Sequence, residues 1–171
     1  MFIKRKRLIY RIAILCILAF IVIFTLYNKD NKKDTVYSLQ GKPAINFKSK
    51  TINNEEIELN KLADKKIIVN FWASWCQPCR REMPAFEEAY SNNKDKNFNI
   101  IAVNVGDSDF VVNQFTKKYN LSFPILGDKD TSIQSSYKVI NLPTTFLINS
   151  NGIIEKVHEG EVTREMLSDW L

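Results

Sequence analysis

The stretch SWCQPCRRE sets Cys76 and Cys79 two residues apart, with Trp75 in front and Glu82 three residues behind. Cysteines at this spacing can hold a metal, lock a fold or pass electrons. A structural zinc site needs four protein ligands. The rest of the chain offers one further cysteine, Cys16, inside an apolar N-terminal run, and one histidine, His158, about eighty residues on. No metal is therefore expected, and His158 is read as structural. A purely structural disulfide would close a very short loop, which restrains little of the unfolded chain. Redox chemistry needs a thiolate, and a thiolate needs a lowered pKa. In that reading the cysteine pair carries the electrons itself and no cofactor is required.

The neighbouring elements supply the means. KKIIVNFWASW is a β-branched and aromatic run bounded by charge, the pattern of a buried central strand. REMPAFEEAYSNN follows with helical spacing, Met83, Phe86, Ala89 and Tyr90 sharing one face and Pro84 expected to kink it. The cysteines thus fall at a strand-to-helix junction. Cys76 lies at the helix N-terminus, where free N–H groups and the helix dipole favour negative charge. Pro78 suits the first turn, and Cys79, one turn in, is the more buried. Cys76 is then the attacking thiol and Cys79 the resolving one, which releases the product from a mixed disulfide on Cys76. Gln77 and Pro78, between them, face the substrate.

Glu82 shares a helix face with Cys79. A carboxylate there raises the pKa of a nearby thiol and can accept its proton; the plainer reading is a solvated helix glutamate like Glu87 and Glu88. Pro143, in NLPTTFLI, is either a strand terminator or the second residue of a cis Leu142–Pro143 bond facing the cysteine loop. Trp72 and Trp75 suit a core, but Trp75, next to Cys76, is also placed to cover the sulfur or meet a substrate.

The remaining elements form a regular series. INFKSK and EEIEL flank TINN as a hairpin; FNIIAVNVG is a second buried strand. DSDFVVNQFTKKYN is a helix with Phe110, Val111, Phe115 and Tyr119 inward. FPILGD is a short extended piece and TSIQSSYKV a short helix. TTFLIN and IIEKVHEG form a strand pair across SNG, and TREMLSDWL is a closing helix. Strands joined by helices require parallel pairing, with the last hairpin as an antiparallel edge. The fold class is α/β, with a mixed central sheet flanked by helices.

Ahead of this domain, Lys4, Arg5, Lys6, Arg7 and Arg11 precede an apolar run at residues 12–27. With Arg11 snorkelling, the run is long enough to span a bilayer. It exits through TLYNKDNKK, which lacks a small-x-small cleavage site, so an uncleaved signal-anchor is expected. The basic flank keeps the N-terminus in the cytoplasm and puts the domain on the extracytoplasmic side of the cell membrane, as a single-pass protein. Cys16 is read as an apolar filler. The expected organisation is 1–27 basic N-terminus and anchor, 28–43 polar tether, and 44–171 folded domain. The net charge of +5 comes from that N-terminal cluster: the remaining 19 basic residues balance 19 acidic ones. A nucleic-acid surface would need a basic patch on the folded part, so nucleic acid is not an expected partner.

Taken together, VNFWASWCQPCRREMP, IIAVNVGDSDFVVNQFTKKY, FPILGDKD and LPTTFLINSNGII resemble the thioredoxin superfamily, in particular its membrane-anchored TlpA/ResA-like thiol–disulfide oxidoreductases of cytochrome c maturation. The resemblance covers residues 40–171. It implies a thioredoxin-like fold, an exposed Cys76, a shielded Cys79, and a cis Pro143 beside the disulfide. It also implies a tuning role for Glu82, and reduction of client disulfides by a monomer. The implied client is the CxxCH pair of apocytochrome c before haem attachment, and the implied electron donor is a membrane thiol transporter of the CcdA type. Where thioredoxin carries a buried aspartate, this chain has Asn70. The same chemistry on other envelope or spore proteins, or disulfide formation by an oxidant, are the alternatives. The Gln77–Pro78 pair lacks the histidine that helps strong oxidants.

Overall fold

The computed structural model describes residues 14–24, 35–62, 64–93 and 98–171. Contacts divide the chain into two units, residues 1–35 and 36–171. In the first, residues 14–24 are helical, with apolar side chains such as Ile17, Phe20 and Ile23 exposed. Among the described residues no helix is long and apolar enough to cross a membrane; the rest of the expected anchor, residues 1–13 with the basic flank and 25–27, lies outside them.

The second unit is built on a five-stranded sheet. Its strands are β3 (Lys66–Trp72), β4 (Phe98–Val105), β5 (Ile125–Asp128), β6 (Thr144–Ile148) and β7 (Ile154–Glu159), in the order β5-β4-β3-β6-β7. β3 pairs parallel with β4 and β4 with β5, whereas β3–β6 and β6–β7 are antiparallel. The expected parallel pairing holds for β3–β4–β5 and the expected antiparallel hairpin is the β6–β7 edge; the departure is the β3–β6 pairing, which is antiparallel. The connection from β5 to β6 contains α3 (Ser132–Ser136), a single turn and too short for a βαβ crossover. β6 enters the sheet antiparallel on the far side of β3.

β3 is the central strand, and its alternation distributes the core. Ile68 and Trp72 face a cluster with Met83, Phe86, Phe115 and Leu167, contributed by α1 (Gln77–Asn92), α2 (Asp109–Tyr119) and α4 (Arg164–Trp170). Ile67, Val69 and Phe71 face a second cluster with Val36, Leu39, Phe47, Tyr137 and Phe146. Burial on both faces explains the nearly unbroken apolar run of β3. The period of two then puts Asn70 on the α1 side. α1 continues across Pro84, whose missing N–H leaves the Arg80 carbonyl without its usual helical donor. In α2, Val112 and Phe115 are buried and Tyr119 is half-buried, but Phe110 and Val111 are exposed. A helix starting at Asp109 turns residues 112, 115 and 119 onto one face, and that phase corrects the expected inward set.

Both sheet edges are covered, as pairing-competent edges must be. The hairpin of β1 (Lys48–Lys50) and β2 (Glu56–Glu58) reaches β5, where the Ile52 N–H donates to the Ile125 carbonyl at 2.9 Å. At the other edge, Gly41 N–H donates to the Ile154 carbonyl at 2.8 Å and Ile154 N–H to the Lys42 carbonyl at 2.9 Å. This moves the expected domain boundary. Residues 36–43, assigned above to the tether, include a 3-10 turn (Val36–Leu39) whose Val36 and Leu39 are buried in the domain.

Tyr137 fastens the same N-terminal stretch. Its ring packs on Phe47, Phe71 and Phe146, and its hydroxyl donates to the Ile45 carbonyl at 2.7 Å. Burial pushes the phenol pKa up. Tyr137→Phe should lower the unfolding free energy by about 1 kcal/mol, the cost of leaving a partly buried carbonyl without its donor, measured by urea denaturation.

Candidate active site

Cys76 and Cys79 form a disulfide. Cys76 is the N-cap of α1, with extended backbone angles, and its Sγ accepts the Cys79 N–H at 3.3 Å. Pro78 sits within the first turn, where its missing N–H costs nothing. One helix-terminal donor, the Cys79 N–H, is thus aimed at the Cys76 sulfur, which favours its thiolate when the bond is reduced. Cys79 is fully buried and Cys76 is only 6% exposed. The expectation of an exposed Cys76 is corrected for this disulfide form: the cap bond and the bond to Cys79 turn its sulfur toward the helix. Trp75 stands out instead, 70% exposed, beside an exposed Gln77 and a half-buried Pro78.

The loop ahead of Cys76 is held from the next strand. After β4, Gly106 adopts a positive φ of 79°, which turns the chain so that the Asp107 carboxylate accepts the Ser74 N–H at 2.8 Å and the Asn104 amide at 2.9 Å. No sequence signal had singled out Asp107. Opposite lies the 142–143 peptide, which is cis. Phe71 pairs with Thr144, so continuing the antiparallel register sets Pro143 across from Trp72, at the end of β3 that leads to the cysteines. Pro143 is buried and Leu142 half-buried, while Ile140, just before them, is 81% exposed.

Glu82 is not a solvated helix residue; it is 1% exposed. Asn70 Nδ2 donates to its Oε1 at 2.9 Å, and the Val162 backbone N–H donates to its Oε2 at 2.9 Å. Asn70 Nδ2 also donates to Thr145 Oγ1 on β6 at 3.0 Å, and its Oδ1 has no hydrogen-bond partner among the described residues. Burial raises the Glu82 pKa from the usual 4.5 to about 8; the Val162 and Asn70 donors pull it down, and the Glu161 charge adds to the rise. The carboxyl therefore changes charge near neutral pH, one helical turn from Cys79. Among the described residues no group of three or more metal-ligating side chains comes together.

A strand, a cysteine pair at the start of the following helix, and a cis proline just ahead of the adjacent antiparallel strand define a thioredoxin-fold thiol–disulfide oxidoreductase. Residues 40–157 match the AhpC/TSA family, and the chain belongs to this family. It is 40% identical over 168 residues to the thiol-disulfide oxidoreductase ResA of Bacillus cereus, covering 98% of this chain and 96% of that one. It is 38% identical to the Bacillus subtilis protein of the same name, covering 98% and 93%. Among solved structures it is similar to StoA from Bacillus subtilis, with a TM-score of 0.67, 36% identity, and coverage of 76% of this chain and 98% of that one. It also resembles a thiol:disulfide interchange protein DsbE from Chlorobium tepidum, with a TM-score of 0.72, 27% identity and coverage of 77% and 94%.

The buried carboxyl has a thermodynamic signature. Its folded pKa lies above its unfolded value, so between about 4.5 and 8 the native state binds more protons than the unfolded state. Stability must then fall as pH rises through that window, by an amount on the order of a few kcal/mol. Urea midpoints of the oxidised protein should decline from pH 5 to about pH 9, and Glu82→Gln should remove most of the decline. A flat wild-type profile would place the Glu82 pKa near its ordinary value.

Proposed function

We propose that this protein is a membrane-anchored, extracytoplasmic reductant of client protein disulfides, and that its main clients are the CxxCH cysteines of apocytochrome c before haem attachment. The observation that carries the direction of electron flow is the acid buried on the cysteine face of α1. Cys79 is fully buried beside an acid that brings no positive charge, and such burial disfavours its thiolate. What disfavours the thiolate disfavours the reduced protein, makes the dithiol more willing to give up its electrons, and favours a low potential. An oxidant would instead stabilise its reduced form.

The reaction balances with the chain's own groups. The Cys76 thiolate attacks one sulfur of the client disulfide; that S–S bond breaks and the first client thiolate leaves and takes up a proton. Glu82, as carboxylate, accepts the proton of Cys79. The Cys79 thiolate attacks Cys76 Sγ, the mixed disulfide breaks, and the second client thiolate leaves. Two electrons have passed to the client, the Cys76–Cys79 disulfide remains, and Glu82 returns its proton to solvent. A membrane thiol transporter of the CcdA type supplies the two electrons that reset the pair. No cofactor takes part, and the protein acts as a monomer. Trp75, Gln77, Pro78 and the Leu142–Pro143 peptide form the face toward the client.

The anchor and the tether ahead of residue 36 keep the domain near both the transporter and emerging clients. That part of the reading rests on the apolar run at residues 12–27 and the basic cluster before it.

Cys76→Ser should abolish reduction of a CxxCH disulfide peptide. Cys79→Ser should accumulate the mixed disulfide on Cys76, visible by non-reducing electrophoresis and mass spectrometry. Glu82→Gln should keep the fold and slow the release step by roughly tenfold to a hundredfold near pH 7, the lower range for a lost general base. Equal trapping of unrelated disulfide peptides would point to broader envelope clients. Unaltered exchange rates in Glu82→Gln would remove Glu82 from the mechanism.

A further inference from the structure

Glu82 is closed over by three residues, Gly160–Val162, of the loop between β7 and α4. Each makes a different connection. The Gly160 N–H donates to the Pro143 carbonyl at 2.8 Å, with Gly160 at a φ of +111° that a side chain would resist. The Glu161 carboxylate takes Arg81, with Nε at 2.7 Å and Nη2 at 2.6 Å from the same oxygen. The Val162 N–H donates to Glu82. Arg81 directly precedes Glu82 in α1, and Glu161 directly precedes Val162, so one ion pair on the surface lies over one hydrogen bond in the interior.

We propose that Arg81 and Glu161 form a clasp that closes the Gly160–Val162 loop over Glu82, making both of them positioning residues for thiol–disulfide exchange. The clasp holds the Val162 N–H on the carboxyl and keeps water off it. This rests on the reading of Glu82 as the proton acceptor of Cys79. The loop is also bonded to the carbonyl of Pro143, so the face toward the client and the buried acid are joined through three consecutive residues.

The groups around Glu82 fix the sign of the effect. Its own helix brings Cys79 and Arg81. β3 brings Asn70, and β6 brings Thr145 behind it. The loop brings Glu161 and the Val162 N–H. From β7, His158 Nε2 lies 3.3 Å from the Glu161 carbonyl, while Glu159 accepts from Asn141. From α4, Arg164 is paired with Glu88. Removing Arg81 leaves the Glu161 charge uncompensated and frees the Val162 donor; both changes favour protonated Glu82. The pair is partly exposed, so it contributes little to global stability and is screened by salt.

The test is Arg81→Gln in the full-length oxidised protein. The Glu82 side-chain carboxyl is titrated by carbon-13 NMR and exchange of the Val162 amide is followed. The midpoint should rise by roughly half a pH unit, the Val162 amide should exchange several-fold faster, and the variant, reduced beforehand and freed of reductant, should reduce a CxxCH disulfide peptide more slowly at pH 7, more in kcat than in KM. Arg81→Lys should recover part of each change. Wild-type protein at an ionic strength of about 1 M, where screening acts over about 3 Å, should shift in the same direction. An unchanged midpoint and unchanged Val162 exchange in a folded Arg81→Gln protein would overturn the clasp alone. A falling midpoint would also overturn it, by showing that water entry outweighs the lost donor. Client reduction unaffected by Glu82→Gln would instead defeat the reading of Glu82, and with it the clasp's part in the reaction.

Discussion

The active end of the molecule is organised around one buried carboxyl. A glutamate inside a protein is costly unless its oxygens are hydrogen-bonded, and Glu82 is met by two N–H donors, one from the central strand and one from the loop ahead of the last helix. This couples three parts of the fold. The pleat of β3 must put Asn70 on the α1 side, between inward-facing Ile68 and Trp72. α1 must begin at Cys76, so that Cys79 and Glu82 fall one turn apart on its buried face. The chain after β7 must turn back far enough for Val162 to reach the carboxyl. A shift of one residue in any of these would leave the buried carboxyl without one of its donors.

The same arrangement gives the two cysteines opposite electrostatic settings within one turn of helix. Cys76 receives the Cys79 N–H at the helix start; Cys79 lies without exposure, on the face shared with an acid that titrates near pH 8. A thiolate is thus favoured at the first position; at the second it is disfavoured by burial and by an ionised Glu82, and it forms as Glu82 takes the Cys79 proton and becomes neutral. Asn70, where thioredoxin has an aspartate, fits this division: the acid sits on the helix, and the strand contributes an uncharged donor that holds it.

Much of the fold was legible because its elements are strongly patterned. The apolar run of β3, the junction at Cys76–Cys79, the hairpin around Asn53–Asn54 and the cis Leu142–Pro143 bond are each carried by local sequence or by motif resemblance. What escaped depends on contacts between distant segments. The turn Val36–Leu39 looked like tether because two apolar residues in a polar stretch give no periodicity, yet they complete the core under Tyr137. Phe110 and Val111 were expected inside because apolar type alone does not fix helix phase. The antiparallel entry of β6 followed from the shortness of α3. At the site, Glu82 was visible by its spacing from Cys79, but its burial and its Val162 partner, 80 residues away in sequence, were not. Asp107, Arg81 and Glu161 look like ordinary surface charges until the fold brings them to Ser74 and to one another.

The central claim is the direction of electron flow, and the reduction potential tests it most directly. The full-length protein would be equilibrated with a dithiol–disulfide buffer at pH 7, and the fraction of Cys76–Cys79 disulfide read by alkylation and mass spectrometry. A buried acid on the Cys79 face should give a potential at or below that of thioredoxin, about −270 mV. A potential near that of a strong oxidant, about −120 mV, would mean that the reduced pair is the favoured one and that this protein forms disulfides.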